Sequence, residues 1–195
     1  MASPIGHALA GYAIYKIYEA KSDETGSRRA LLGVALFMAI APDLDFVPGM
    51  LIGQPALYHQ LITHSIGAAF VVSIITAGLF RSMGMSFSIP FNLCFVSYLS
   101  HLAIDFFAPD GRLPYGQPLF WPVIGAHFMS PVWLFLGMHH SGSTETSTLQ
   151  WLMGILTLHN LRAIAVEVLL IGPCAVLATV HRRILPIRLT RVGRR

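Results

Sequence analysis

The stretch ALLGVALFMAIAPDLD, residues 30–45, runs without a charge from Ala30 to Pro42 and then places two carboxylates, Asp43 and Asp45, in quick succession. An uncharged run of this kind hides either in a protein core or in lipid. Carboxylates at its end are expensive to desolvate unless something pairs with them, and so they are functional candidates. Composition chooses between core and lipid. The chain has 195 residues, of which 54% are hydrophobic and 11% charged, with a mean hydropathy of +0.63. Soluble domains carry about 25% charged residues. So few charges cannot cover a soluble surface, and the sequence reads as an integral membrane protein of bacterial type. A very apolar soluble helical protein is the alternative.

Similar segments lie on either side. Ser3-Pro4 is a helix start, with serine as N-cap and proline at the first helical position, and a helix is predicted from Pro4 to about Ala20. A polar turn, KSDETGSRR, follows over 21–29, and residues 46–63 are loop-like, with Pro48, Gly49, Gly53 and Pro55. Uncharged runs recur over 65–80, closed by Arg81, and over 82–100, closed by His101. A Pro- and Gly-rich stretch, APDGRLPYGQP, leads into an aromatic run over 119–138 and a polar patch, HHSGSTETS. Residues 147–161 read as amphipathic, and the last apolar run, 163–180, contains Glu167 and Pro173. A spanning helix needs about 20 apolar residues, and several of these runs are at or below that length. The predicted fold is all-α, a multi-pass membrane helical bundle forming one domain over 1–195. Residues 1–122 are its metal-binding core, 123–180 add membrane segments, and 181–195 form a basic tail.

Charge placement orients the bundle. If the early segments alternate direction, His7, Asp43, Asp45, His59, His64, His101 and Asp105 all fall at one end. Lys21, Arg28, Arg29 and Arg81 fall at or towards the other, and the loop 42–64 has no Lys or Arg. The positive-inside rule then puts the basic end in the cytoplasm and the His/Asp end at the outer face. The aromatic run, broken by Pro122 and Pro131, reads as re-entrant rather than spanning. The last run then returns the tail to the cytoplasm, with its six arginines at 182, 183, 188, 191, 194 and 195. Such a tail suits anionic lipid headgroups better than nucleic acid. Cys94 and Cys174 lack a CxxC partner, which excludes a cysteine zinc site, and no disulfide is expected. No cleavable signal peptide is predicted, because no basic region precedes the first apolar stretch.

His101-Leu-Ala-Ile-Asp105 carries an imidazole and a carboxylate one helical turn apart, a spacing that lets both reach one metal ion. With His7, Asp45 and His64 at the same end, the donor set is mixed nitrogen and oxygen, suited to zinc and also to manganese or iron. The plainer reading is that Asp43 and Asp45 cap helices and that His101 pairs only with Asp105. His127 is expected to be buried and structural, and His139 and His140 solvated. Glu167 is left to pair with Arg162 or to face the bundle interior, and Trp121, Trp133 and Trp151 suit interfacial positions.

The order His7, Pro42-Asp43-Leu44-Asp45, His59-x-x-x-Thr63-His64-Ser65, His101-x-x-x-Asp105 and Pro118-Leu119-Phe120-Trp121-Pro122 resembles the membrane-bound metal-dependent hydrolase family, which includes the LexA-regulated inner-membrane proteins of bacteria. The likeness covers about residues 3–122. That family is distantly similar to zinc-dependent phospholipase C and related single-strand nucleases, all-helical zinc phosphodiesterases. The resemblance implies a metal site of Asp45, His64, His101 and Asp105, with His7 at a second site that shares Asp105. Gln60 stands where the family usually carries an arginine. The phospholipase's N-terminal Trp ligand and its later His-x-x-x-Glu pair are missing, so one or two ions are expected rather than three. Asp43 or His59 is expected as general base or as a partner orienting a ligand. The expected activity is hydrolysis of a small-molecule or lipid-like phosphoester at the bilayer surface, with membrane lipids as partners and no nucleic acid. Two rivals are a proton- or metal-path transporter and a non-catalytic membrane scaffold.

Overall fold

The apolar segments fold as helices, and the Pro- and Gly-rich stretches between them do not. The computed structural model describes residues 1–19, 25–139 and 148–184. Among these the helices are α1 (Pro4–Glu19), α2 (Thr25–Ile40), α3 (Phe46–Leu51), α4 (Ile66–Ser82), α5 (Ser88–Phe106), α6 (Thr148–Met153) and α7 (Leu158–Ile184). Short 3-10 turns cover Ala41–Asp45 and Ile62–His64, and the described residues contain no strand, only an isolated antiparallel bridge between Gln117 and Phe128.

Three helical stretches are long and apolar enough to cross a membrane: Arg28–Leu51, Ser88–Phe106 and Leu158–His181, with mean hydropathies of 1.9, 1.3 and 2.3. α4 is apolar but shorter. Only 17% of the α7 window is buried against the rest of the chain. A helix that apolar and that uncovered is suited to lipid rather than water.

α1 packs on α2, α5 and α7, α2 packs on α5, and α5 packs on α4. Small residues let the backbones close up, as in membrane bundles generally. At Gly11 in α1, a Cβ would lie 2.7 Å from the Ala35 carbonyl oxygen and 2.8 Å from the Ala39 Cβ of α2. Neither backbone nor a methyl can swing aside. Gly11→Val is therefore expected to force α1 and α2 apart and destabilise the fold by about 1–3 kcal/mol, read as a lower unfolding midpoint in detergent. Below this contact Tyr15, Leu31, Ala35, Phe80 and Leu93 form one core cluster, and Met38, Ala69, Cys94, Tyr98 and Leu102 form another.

Several boundaries differ from the sequence reading. The run over 82–100 breaks at a turn around Gly84, whose φ of +85° favours glycine, and its helix starts at Ser88 and continues through His101 to Phe106. The stretch 147–161 divides into α6 and the start of α7. The aromatic run over 119–138 forms no helix. Phe120, Trp121, Val123, Ile124, Val132, Trp133 and Leu134 stand exposed along it. Trp151, read as interfacial, is buried and packs on Phe46. His140 and the basic tail beyond residue 184 lie outside the described residues.

Candidate metal centre

Every histidine and aspartate singled out from the sequence at one end of the bundle sits at a helix terminus or in a loop beside one. His7 lies in the first turn of α1, Asp43 and Asp45 follow α2, His59 and His64 precede α4, and His101 and Asp105 are in the last turns of α5. Antiparallel packing brings these ends together. His7, His64 and His101 are fully buried, and Asp45, His59 and Asp105 nearly so.

Pro42 opens a 3-10 turn after α2. Such a turn rotates about 120° per residue, so Asp43 and Asp45 diverge. Asp43 Oδ1 lies 3.6 Å from His64 Nε2 and 3.5 Å from His101 Nε2. Asp105 Oδ2 reaches the same two nitrogens at 3.7 and 3.3 Å. One ligand atom from each of Asp43, His64, His101 and Asp105 can be chosen so that all lie within 4.8 Å of one another. Asp45, His59 and His64 make a second such group.

The hydrogen bonds behind the first group fix which atoms face inward. His101 Nδ1 bonds the Ala39 carbonyl oxygen at 2.8 Å and so carries the proton. Thr63 donates its hydroxyl to Asp45, and His64 Nδ1 lies 3.2 Å from both the Thr63 oxygen and Asp45 Oδ2. Nδ1 is therefore the protonated nitrogen of neutral His64 too. Each Nε2 then presents a lone pair, and the two nitrogens stand 3.3 Å apart. Asp105 Oδ1 is held by the Ala2 N–H at 2.6 Å, but its Oδ2 and both oxygens of Asp43 accept no hydrogen bond from the described residues. Four acceptors thus converge in a buried place with no neutral donor among them, an arrangement that could hold a metal ion.

The second group is arranged differently. Asp45 accepts from His59 Nδ1 at 2.9 Å, the Gln60 N–H at 3.0 Å and Thr63 Oγ1 at 2.8 Å, besides its contact with His64. Its lone pairs are already engaged, and it reads as the carboxylate that orients two histidines. Gln60 adopts φ +60° in giving its N–H to Asp45. His7 stacks on His101 with ring centroids 3.8 Å apart, and its Nε2 lies 3.3 Å from Asp105 Oδ1, but it belongs to neither group.

Burial works against a charge on His64, yet the nearby Asp43 and Asp45 carboxylates outweigh that and push its pKa up to about 9. Burial prevails at His59 and holds its pKa below the usual histidine value despite the Asp45 bond. A proton and a metal ion therefore compete for His64 Nε2. Below a pKa of about 9 the proton must leave first, so metal affinity should fall about tenfold per pH unit as pH drops from 8 to 6. Calorimetric titration in buffers of different ionisation enthalpy should show about one proton released per ion bound.

Sequence reading left Glu167 between a pair with Arg162 and the bundle interior, and did not find its partner. Fully buried in α7, it accepts from the Ser3 N–H at 2.8 Å and from the Ser3 hydroxyl, which itself accepts from the Gly6 N–H at 3.1 Å. It faces the bundle interior and clamps the start of α1; Arg162 is exposed. A buried carboxylate in an apolar run was the available signal, but nothing local named its partner. His127 is half-exposed and outside both groups, and His139 stacks on His159 at the surface.

The chain matches the family described as YdjM inner membrane protein over residues 1–185. It belongs to that family. The family's description and the three apolar helices agree on a membrane location. No curated protein and no solved structure matches the chain, so the expected hydrolase and phospholipase likenesses have no counterpart there. The family match supplies the membrane, and the metal centre rests on geometry.

Proposed function

We propose that this protein is a membrane-bound, metal-dependent hydrolase of phosphoesters, with Asp43, His64, His101 and Asp105 as the ligands of its metal. One observation carries the reading: four buried acceptor atoms converge with no neutral donor among them. Asp43 thus takes the ligand place that the resemblance gives to Asp45, and Asp45 becomes the orienting carboxylate. Zinc suits the donor set best, and manganese or iron would also fit. A divalent ion there would supply Lewis acidity towards a phosphoryl oxygen and lower the pKa of water towards neutrality.

The remaining chemistry belongs to the chain's own groups. The Ala39 carbonyl and Asp45 hold His101 and His64 in the tautomers that leave Nε2 free. His59, fixed through Nδ1 on Asp45, has a buried Nε2 with no hydrogen bond among the described residues. Its lowered pKa leaves it neutral at pH 7, so Nε2 can take up a proton. His7, stacked on His101, would complete a second, weaker site with Asp105 Oδ1.

We read the centre, from charge placement, as lying at the outer face of a multi-pass bundle with a cytoplasmic C-terminus. A reporter inserted at loop 46–58 should read as external, and a cytoplasmic reading would reverse the topology. For the activity itself, the purified full chain with zinc, manganese or iron should release nitrophenol from bis(4-nitrophenyl) phosphate, and chelation should abolish it. A metal-loaded, folded protein inert towards this ester and towards phospholipid vesicles would leave ion transport, read as flux in proteoliposomes, as the better account.

A further inference from the structure

A cavity of about 660 Å³ lies against the side of the centre formed by His59 and Gln60. Small-molecule sites occupy about 300–1,000 Å³. Its wall is mainly apolar, with Phe46, Leu113, Leu136, Met138 and Trp151, and it contains one arginine, Arg112.

Arg112 is the only Lys or Arg between Arg81 and Arg162. The loop around it is built to present it. Asp110 Oδ1 accepts the Arg112 backbone N–H at 3.0 Å, and Asp110 Oδ2 accepts the Gly116 N–H at 2.8 Å. That carboxylate is engaged with backbone and forms no ion pair with the guanidinium among the described residues. Arg112 Nη2 donates to the His59 carbonyl at 2.5 Å. A guanidinium has five N–H donors in a fork matched to phosphate or carboxylate, and among the described residues this single bond anchors it, leaving the rest of the fork available to a ligand. His59 then links the two places: its carbonyl holds Arg112, and its Nδ1 holds Asp45, which orients His64. Leu113 and Tyr115 of the lining are exposed apolar or aromatic groups.

We propose that this cavity binds an amphiphile with one anionic headgroup, the headgroup on Arg112 and the chain along the Phe46–Trp151 wall. The wall also carries His59, Gln60, Asp110 and His139, but Asp110 is bound to backbone N–H groups, so a guanidinium beside a mainly apolar wall suits a molecule that is charged at one end and apolar along its length. This rests on the metal-centre reading for the reaction it serves, since it names the substrate class of that centre, but its binding geometry is separate.

Native mass spectrometry of the detergent-solubilised full chain can test it, with dodecyl phosphate, dodecylphosphocholine and inorganic phosphate as probes. Dodecyl phosphate should bind one to one, at least about tenfold more tightly than either of the others. Arg112→Gln should weaken it about tenfold or more, as loss of a charged hydrogen-bonding partner does. Because Arg112 also holds His59, Leu113→Glu serves as a second variant. Leu113 is 73% exposed, so the change spares the core, sets an anion at the opening and should weaken dodecyl phosphate similarly. Undiminished binding in Leu113→Glu or in folded Arg112→Gln overturns the proposal. So does inorganic phosphate binding as tightly as dodecyl phosphate, or no dodecyl phosphate binding at all. Metal content separates the two readings. If the metal-centre reading fails, the wild type lacks metal while selective amphiphile binding persists. If the cavity proposal fails, metal remains and selectivity is absent.

Discussion

His101→Ala is expected to strip the purified protein of tightly bound divalent metal while leaving it folded. His101 contributes one of four converging atoms, and its Nε2 lies 3.3 to 3.5 Å from the other three residues' facing atoms. Outer partners that only orient a ligand are worth about 10–100-fold in affinity. Loss of a ligand should exceed that, whereas Asp45→Asn, which disturbs only the orientation of His64 and His59, should fall within it. Elemental analysis of wild type and both variants gives the ranking. About one or two ions per chain in the wild type, lost in His101→Ala and partly kept in Asp45→Asn, supports the centre as drawn. Equal loss in both variants would mean that Asp45 is itself a ligand. No metal in a well-folded wild type after supplementation would remove the hydrolase reading.

The second large effect is expected at Glu167. Its carboxyl accepts both the backbone N–H and the hydroxyl of Ser3, in a fully buried setting. Glu167→Ala would leave two buried donors unsatisfied and a void beside Gly6, where a Cβ would lie 2.5 Å from Glu167 Oε2. Buried groups left without partners cost about 1–3 kcal/mol each, so a loss of about 2–6 kcal/mol is expected. Glu167→Gln keeps an acceptor and the volume and should recover most of it. The consequence extends to the metal. Ser3 adjoins Ala2, whose N–H holds Asp105 Oδ1 and so turns Oδ2 towards the two histidines. Metal affinity should therefore fall in Glu167→Ala alongside stability, and recover in Glu167→Gln. A purely local stabilising role would move the unfolding midpoint and leave metal affinity unchanged.

The membrane helices and the gathering of His and Asp residues at one end were legible because both follow from one-dimensional facts. Uncharged runs of near-spanning length must bury themselves, and alternating direction sends every second terminus to the same side. The i, i+4 spacing placed His101 beside Asp105 without further help, and the structure has them 3.3 Å apart. What the sequence left open is which carboxylate faces which histidine. Asp43 and Asp45 are chemically identical, and only the 3-10 turn after Ile40 sends them to opposite tasks. The partners of Glu167 and Arg112 were equally hidden, because Ser3 is 164 residues from Glu167 and His59 is 53 from Arg112. Local periodicity reports the environment a side chain needs, buried or exposed. The identity of a distant partner is decided by helix packing, which brings together chain ends that no sequence window contains.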